Sequence, residues 1–265
     1  MIIISARKGF WDNNIISNQD EIRNVVPLQT RSTGKLKQGE FLASIKDKRV
    51  LLLLHGYNNE EFDVLRAYQI IENKTQAILP DYYDLVIGYS WPGGDDALDY
   101  FAAKRRASAI APRLGNWLPK IKSQVSHLDV MTHSMGTRLL LSALQLEETA
   151  KIDRSFNMAS AVDNESLELS EKYHEASKQC TKFYVFHSRH DGVLGFAYRA
   201  AEWDRALGFS GPEDVFNIMT FCSHVKTANC KNVVKSHGAY KNTDAVYTYI
   251  ANEVGGNEAP QFATL

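Results

Sequence analysis

Cysteine, glycine and proline are scarce in this chain of 265 residues, and each shortage excludes a class of protein. The three cysteines, Cys180, Cys222 and Cys230, form no CxxC pair and are odd in number, which argues against a disulfide framework and for reduced thiols. Structural zinc needs four ligands at closer spacing, so we predict no metal. Sixteen glycines and seven prolines are too few for a collagen-like or linker-like chain.

The chain also lacks an excess of one charge and a long apolar run. Thirty Lys and Arg residues face 31 Asp and Glu residues, a net charge of −1, so we expect no nucleic-acid partner. The longest apolar run is far below the roughly 20 residues of a membrane span, so no stable membrane insertion is expected. Residues 1–10 place the apolar stretch before Arg7 and Lys8, the reverse of a signal peptide, which predicts a cytoplasmic location.

The remaining composition is ordinary for a globular protein, with 44% apolar and 23% charged residues. We therefore expect one domain over residues 1–265, ending in a flexible tail at residues 255–265. The composition leaves the oligomeric state open.

Short aliphatic runs alternate with segments of helical spacing through the middle of the chain. Residues 50–54 read VLLLL, which is typical of a strand that helices bury on both faces. Further strands are predicted at residues 84–90, 127–132, 155–161, 182–188 and 215–221, and helices at residues 60–79, 135–146 and 165–179. Because each parallel crossover needs a helix, this alternation predicts an α/β fold with a mostly parallel central sheet and helices on both faces.

A serine lies between a predicted strand and a predicted helix at residues 127–136, HLDVMTHSMG. The pattern G-x-S-x-G places serine on a strained turn, with its hydroxyl above the sheet and the next backbone N–H pointing into the same space. Here Thr132 replaces the first glycine, and we expect it to splay the strand and helix slightly. An isolated serine before a helix is more often a cap, but the preceding buried strand favours Ser134 as a nucleophile.

The second feature is the segment HGYN at residues 55–58, directly after a predicted strand. Acyl transfer needs two donors aimed at the developing alkoxide, one after the nucleophile and one in the loop after an earlier strand. The backbone N–H groups of Met135 and Tyr57 are the candidates for this oxyanion hole. The alternative is that His55 and Asn58 only stabilise a tight turn.

A serine hydroxyl becomes nucleophilic when a base takes its proton, and an acid must orient that base. With an elbow of this kind the chain order is Ser, then Asp or Glu, then His. Asp191, just past a predicted strand, is the preferred acid, and Asp163, after the preceding strand, is its rival. His237, in a small-residue loop before the last predicted helix, is preferred to His224 as the base.

Three segments together resemble a known family. HGYN at residues 55–58, SWP at residues 90–92 and HSMG at residues 133–136 are typical of a largely uncharacterised, mostly bacterial family of serine α/β-hydrolases. Asp191 and His237 fall where the acid and histidine of that family would be. The resemblance implies the α/β-hydrolase fold and an ester-type serine hydrolysis.

The reaction we expect is cleavage of a small-molecule carboxylic ester through an acyl-enzyme, with Ser134, His237 and Asp191 as the triad and no cofactor. The same triad supports thioesterase, amidase or acyltransferase chemistry. A binding protein that keeps the hydrolase scaffold without turnover is the alternative from another class.

Two aromatic residues are candidates for binding substrate. Trp91 follows a predicted strand beside the elbow, and Phe196 lies in residues 192–211, a predicted helical cap segment. If this segment is a mobile lid, lipase activity becomes an alternative. The competing interpretations are a core tryptophan and ordinary helix packing.

Overall fold

The computed structural model describes residues 1–26, 31–94, 96, 99–146 and 151–265. The strands of these residues are β1 (Ile2–Arg7), β2 (Ile16–Val26), β3 (Arg31–Leu36), β4 (Arg49–Leu54), β5 (Leu85–Ser90), β6 (His127–His133), β7 (Ile152–Met158), β8 (Cys180–His187), β9 (Val225–Asn229) and β10 (Phe262–Thr264). They form one sheet in the order β10-β9-β8-β7-β6-β4-β5-β1-β2-β3.

The α-helices of the described residues are α1 (Gln38–Ser44), α2 (Glu61–Ile78), α3 (Tyr100–Lys122), α4 (Met135–Leu146), α5 (His174–Ser177), α6 (Arg199–Glu202), α7 (Leu207–Ser210), α8 (Val215–Phe221) and α9 (Asp244–Val254). A π-helical turn spans Val193–Tyr198, and 3₁₀ turns span Lys8–Phe10 and Ala239–Asn242.

The sheet is parallel from β10 to β1, and only the pairs β1–β2 and β2–β3 are antiparallel within the described residues. This confirms the predicted α/β class with its mostly parallel sheet. Val50 and the four leucines that follow it in β4 are at most 1% exposed, as expected for a central strand covered on both faces.

Two predicted elements take a different form. Residues 215–221, predicted as a strand, form α8, because the Asp214 side chain accepts the Asn217 N–H at 3.0 Å and caps a helix there. The helix predicted at residues 165–179 is reduced to α5. Serine hydrogen bonds compete with the helix in this segment, as where Ser166 Oγ donates to the Asp163 carbonyl at 2.6 Å.

The C-terminal segment is not a free tail. Residues 255–265 include β10, which pairs with β9 as a parallel edge strand. The side-chain amide of Gln261 donates to the carbonyls of Cys222 at 3.1 Å and Val225 at 3.0 Å, which ties this segment to the sheet. The sequence lacked a signal here because a three-residue strand has no readable alternation.

The Tyr68 hydroxyl joins the carboxyl ends of β4 and β5. Tyr68 lies on α2 and is 2% exposed. Its oxygen accepts the His55 N–H at 3.1 Å and lies 2.7 Å from the Tyr89 carbonyl and 3.0 Å from the Leu53 carbonyl. This hydroxyl therefore fixes the point at which the chain leaves β4.

We expect Tyr68→Phe to lower the free energy of unfolding by about 1–3 kcal/mol, because it leaves the buried His55 N–H without its acceptor. Urea unfolding measures this change. Tyr82→Phe, which removes a half-buried hydroxyl bonded to Arg154, is the control and should cost less. Equal losses in the two variants would contradict this account of Tyr68.

Candidate active site

Ser134 occupies a strained turn between β6 and α4. Its φ angle is +55°, in the left-handed region that residues other than glycine seldom adopt. The backbone N–H of Ser134 donates to the Met158 carbonyl at 2.9 Å, which holds the turn against the end of β7. Because α4 begins at Met135, the serine also lies at the positive end of a helix dipole.

Two glycines allow the turn to pack tightly against the end of β4. A Cβ on Gly136 would lie 2.6 Å from the Leu54 carbonyl oxygen and 2.7 Å from that of His55. A Cβ on Gly56 would lie 2.9 Å from the Ser134 Cβ. Both positions therefore require glycine, and they bring the HGYN loop into contact with the serine.

Thr132 does not loosen this turn, contrary to the expectation from its size. Its hydroxyl lies 2.7 Å from the Thr137 hydroxyl in α4 and 2.9 Å from Asn157 Oδ1 in β7. All three side chains are at most 1% exposed. The threonine thus joins β6, α4 and β7 by buried hydrogen bonds where a glycine would make none.

His55 and Trp91 hold the HGYN loop together. Trp91 N–H donates to His55 Nε2 at 3.0 Å, the Trp91 indole N–H donates to the His55 carbonyl at 3.0 Å, and the rings stack. Burial lowers the pKa of His55 well below its ordinary value, so the imidazole stays neutral. Trp91 is 0% exposed, which corrects its interpretation as a substrate-binding residue.

The structure brings Asp191 and His237 together. His237 Nδ1 lies 2.8 Å from Asp191 Oδ2, and Asp191 Oδ1 accepts the Leu194 N–H at 3.0 Å. The carboxylate is 0% exposed, whereas His237 is partly open. Both oxygens of Asp191 are thus held, and the ring has one fixed orientation.

The rival residues lie elsewhere. Asp163 Oδ1 accepts the Tyr198 hydroxyl at 2.6 Å. His224 Nε2 lies 2.8 Å from the Ser177 hydroxyl, near the opposite end of β9 from His237. Neither contact includes Asp191 or His237.

His133 supports His237, a contact that the sequence reasoning did not anticipate. Its Nε2 lies 2.9 Å from the His237 carbonyl oxygen, and since a carbonyl can only accept, this nitrogen carries the proton. The two rings meet edge to face at 4.6 Å. Burial lowers the pKa of His133 to about 3, which keeps it neutral.

Two adjoining cavities open beside these residues. The larger, about 380 Å³, is lined by His237, Gly56 and Tyr57 among others, and the smaller, about 260 Å³, contains Ser134. Residues that line both cavities are Tyr57, Val193 and Ala197. The serine therefore lines one cavity and the histidine the other, and the two cavities share walls that include Val193 and Ala197 of the segment of residues 192–211.

Phe196 faces away from this space. Its side chain is 82% exposed and lines neither cavity, whereas Val193 and Ala197 line both cavities although they are also exposed. This corrects its interpretation as a substrate-binding residue. Inward-facing aromatic residues of the smaller cavity are instead Tyr57, Tyr100 and Tyr198, which pack edge to face around Tyr100.

Neither a metal cluster nor a membrane helix was found in the part of the chain that the structure describes. No group of three or more His, Cys, Asp or Glu side chains in it is arranged to hold a metal ion. None of its helices combines the length and apolar character needed to cross a membrane.

A parallel sheet with helices and an elbow serine after a central strand define the α/β-hydrolase class. Residues 32–213 match the family described as "Alpha/beta hydrolase of unknown function (DUF900)", and the chain belongs to this family. The predicted resemblance to α/β-hydrolases is thereby confirmed, and membership supports an enzyme of the hydrolase class.

Among solved structures the chain is similar to the 2,6-dihydroxy-pseudo-oxynicotine hydrolase, with 13% identity and a TM-score of 0.44. That match covers 82% of this chain and 64% of the other, less than two thirds of its length. MenH from S. aureus is also similar, with 16% identity, a TM-score of 0.32 and coverage of 82% and 84%. No curated protein matches the sequence.

We expect Gly136→Ala to lower the free energy of unfolding by about 1–3 kcal/mol, because its Cβ would collide with two backbone carbonyls of the β4 end. Urea unfolding gives the value. Gly39→Ala in α1, where a Cβ meets open space, is the matched control and should be neutral or stabilising. An unchanged free energy of unfolding in Gly136→Ala would mean that α4 can move away from β4 with little loss of stability.

A second prediction concerns acid stability. Burial lowers the pKa of His187 to about 4 from an ordinary 6.5. Between about pH 6.5 and pH 4 the His187 side chain is protonated in the unfolded chain but stays neutral in the folded chain. The free energy of unfolding therefore decreases as the pH falls through this range. His187→Asn should reduce the slope of unfolding free energy against pH by up to about 1.4 kcal/mol per pH unit. Urea titrations at pH 6.5, 5.5 and 4.5 test this, and identical slopes would refute it.

Proposed function

We propose that the protein is a serine hydrolase that cleaves a carboxylic ester through an acyl-enzyme. The observation that carries the proposal is the bond between His237 Nδ1 and the buried Asp191, with the His237 ring packed against His133, the residue before the left-handed elbow serine. Such a pairing leaves Nε2 of the same ring to act as a base.

In this mechanism His237 Nε2 takes the Ser134 proton as Oγ attacks the acyl carbonyl. Asp191 keeps the ring in the correct tautomer and stabilises the imidazolium that forms. The alcohol leaves with the proton from His237, and water, activated by the same base, then releases the acid. Every step uses side chains and main-chain amides of this chain.

The oxyanion would be held by the backbone N–H groups of Met135 and Tyr57. Met135 is the first residue of α4, so its N–H belongs to the positive helix end. Tyr57 belongs to the loop that Gly56 brings against Ser134. Two such donors stabilise the charge that develops on the carbonyl oxygen.

The chain would act as one domain over residues 1–265, with residues 192–211 as its cap. Val193 and Ala197 of this segment line both cavities, and the larger cavity has mostly apolar walls. These features support a small, partly apolar acyl ester as substrate. The three buried free thiols support a reducing, cytoplasmic location.

We expect Ser134→Ala and His237→Ala each to lower kcat/KM for a short 4-nitrophenyl ester by at least roughly 1,000-fold, because triad members act as a unit. Asp191→Asn should lower it by a similar order. A fluorophosphonate probe should label wild-type protein at Ser134, as read by mass spectrometry.

Ser236→Ala, at an exposed serine beside His237, is the matched control and should keep wild-type activity and labelling. Undiminished hydrolysis by Ser134→Ala would refute the proposal. Absence of both labelling and hydrolysis in wild-type protein would favour a binding protein, and hydrolysis of a thioester or amide in preference to the ester would change the substrate class.

A further inference from the structure

Lys241 is a cation in the wall of the larger cavity, four residues after His237. It lies on the 3₁₀ turn Ala239–Asn242, and its side chain is half-buried. Over the described residues no carboxylate lies within 4 Å of its ammonium group. Burial lowers the pKa of Lys241, Asp63 opposes this effect in part, and Arg66 adds a smaller lowering.

The rest of this cavity is mostly apolar, and its lining includes no carboxylate among the described residues. Its walls include Ile71 from α2, Met131 from β6 and Met158 from β7. The Tyr68 hydroxyl is already bonded to the main chain and the Thr132 hydroxyl to Thr137. Asp63 attracts the ammonium but forms no ion pair with it within the described residues, so an anionic ligand group in the cavity would offset the remaining cost of burying this charge.

The chemistry of the site favours a carboxylate over a more highly charged anion. One ammonium group neutralises one carboxylate, whereas a phosphate would retain excess charge against the apolar walls. The side chain of His237 lines the same cavity, so a ligand that pairs with Lys241 would also reach the base.

We infer that the substrate is an aliphatic or aryl ester bearing one carboxylate, and that Lys241 binds this carboxylate while the apolar walls hold the rest of the molecule. The inference rests on the proposed serine hydrolysis, for which it names the substrate class. Lys241 acts as a specificity residue and takes no part in proton transfer.

Matched ester pairs that differ by one charge test this inference. Mono-4-nitrophenyl adipate and 4-nitrophenyl hexanoate place the charge in the acyl part, and 4-carboxyphenyl and 4-carbamoylphenyl hexanoate place it in the leaving group. For at least one of the two pairs, kcat/KM of wild-type protein should be higher for the anionic ester than for the neutral ester. Lys241→Met should reduce that anionic-to-neutral ratio by about 10- to 100-fold, as expected for loss of a charge-assisted bond.

Lys241→Arg should restore most of the ratio, and Lys235→Met, at an exposed lysine near the same loop, should leave it unchanged. An unchanged ratio for both pairs in Lys241→Met would overturn the inference while hydrolysis by wild-type protein still supported the proposed function.

A binding measurement separates the two hypotheses if no ester is cleaved. Isothermal titration calorimetry measures the binding of two pairs of uncleaved amides to wild-type protein and to Lys241→Met. One pair is the anionic mono-N-phenyl amide of adipic acid and the neutral N-phenylhexanamide. The other pair is the anionic 4-hexanamidobenzoate and the neutral 4-hexanamidobenzamide. At least one anionic amide should bind wild-type protein more tightly than its neutral partner and lose about 10-fold or more in the variant. Equal binding of both anionic amides to the two proteins, or no binding to wild-type protein, would overturn the inference.

Discussion

The close contact between the end of β4 and the start of α4 is the constraint on which the rest of the site depends. A Cβ on Gly136 would collide with the carbonyls of Leu54 and His55, and a Cβ on Gly56 would collide with Ser134. Because Gly56 and Gly136 have no side chains, the HGYN loop can pack directly against Ser134 and the first turn of α4. Tyr68 and the His55–Trp91 pair then fix the same loop from the side of α2 and β5.

Much of this arrangement was accessible from the sequence, because it depends on local patterns. The aliphatic run of β4 and the strand-serine-helix order of β6 and α4 have clear periodicity. The contact between Asp191 and His237 agrees with the prediction from chain order together with their positions after a strand and in a small-residue loop. Elements such as β2, β3 and β10 left little signal, since two form an antiparallel extension with mixed polarity and the third has three residues.

The contacts that escaped prediction are long-range and made by side chains without a motif. The size of Thr132 predicts a slightly splayed turn. Its hydroxyl instead lies within hydrogen-bond distance of Thr137 and Asn157, whose positions depend on the whole sheet. The sequence offers Trp91 and Phe196 as candidates for binding substrate, but tertiary packing puts Trp91 in the core and leaves Phe196 exposed to solvent. Lys241 has no local pattern that distinguishes it from any surface lysine. Only the fold shows that it faces a cavity.

The loops that carry Asp191 and His237 are tied to each other close to these two residues. Cys230 N–H donates to the His187 carbonyl at 2.8 Å, and the Ser188 hydroxyl donates to the Val234 carbonyl at 2.8 Å. The conformational entropy of bringing the imidazole to the carboxylate is therefore lost when the chain folds, before any ligand enters the cavities. In the proposed hydrolysis, this pair would therefore need little reorganisation of the protein before it acts.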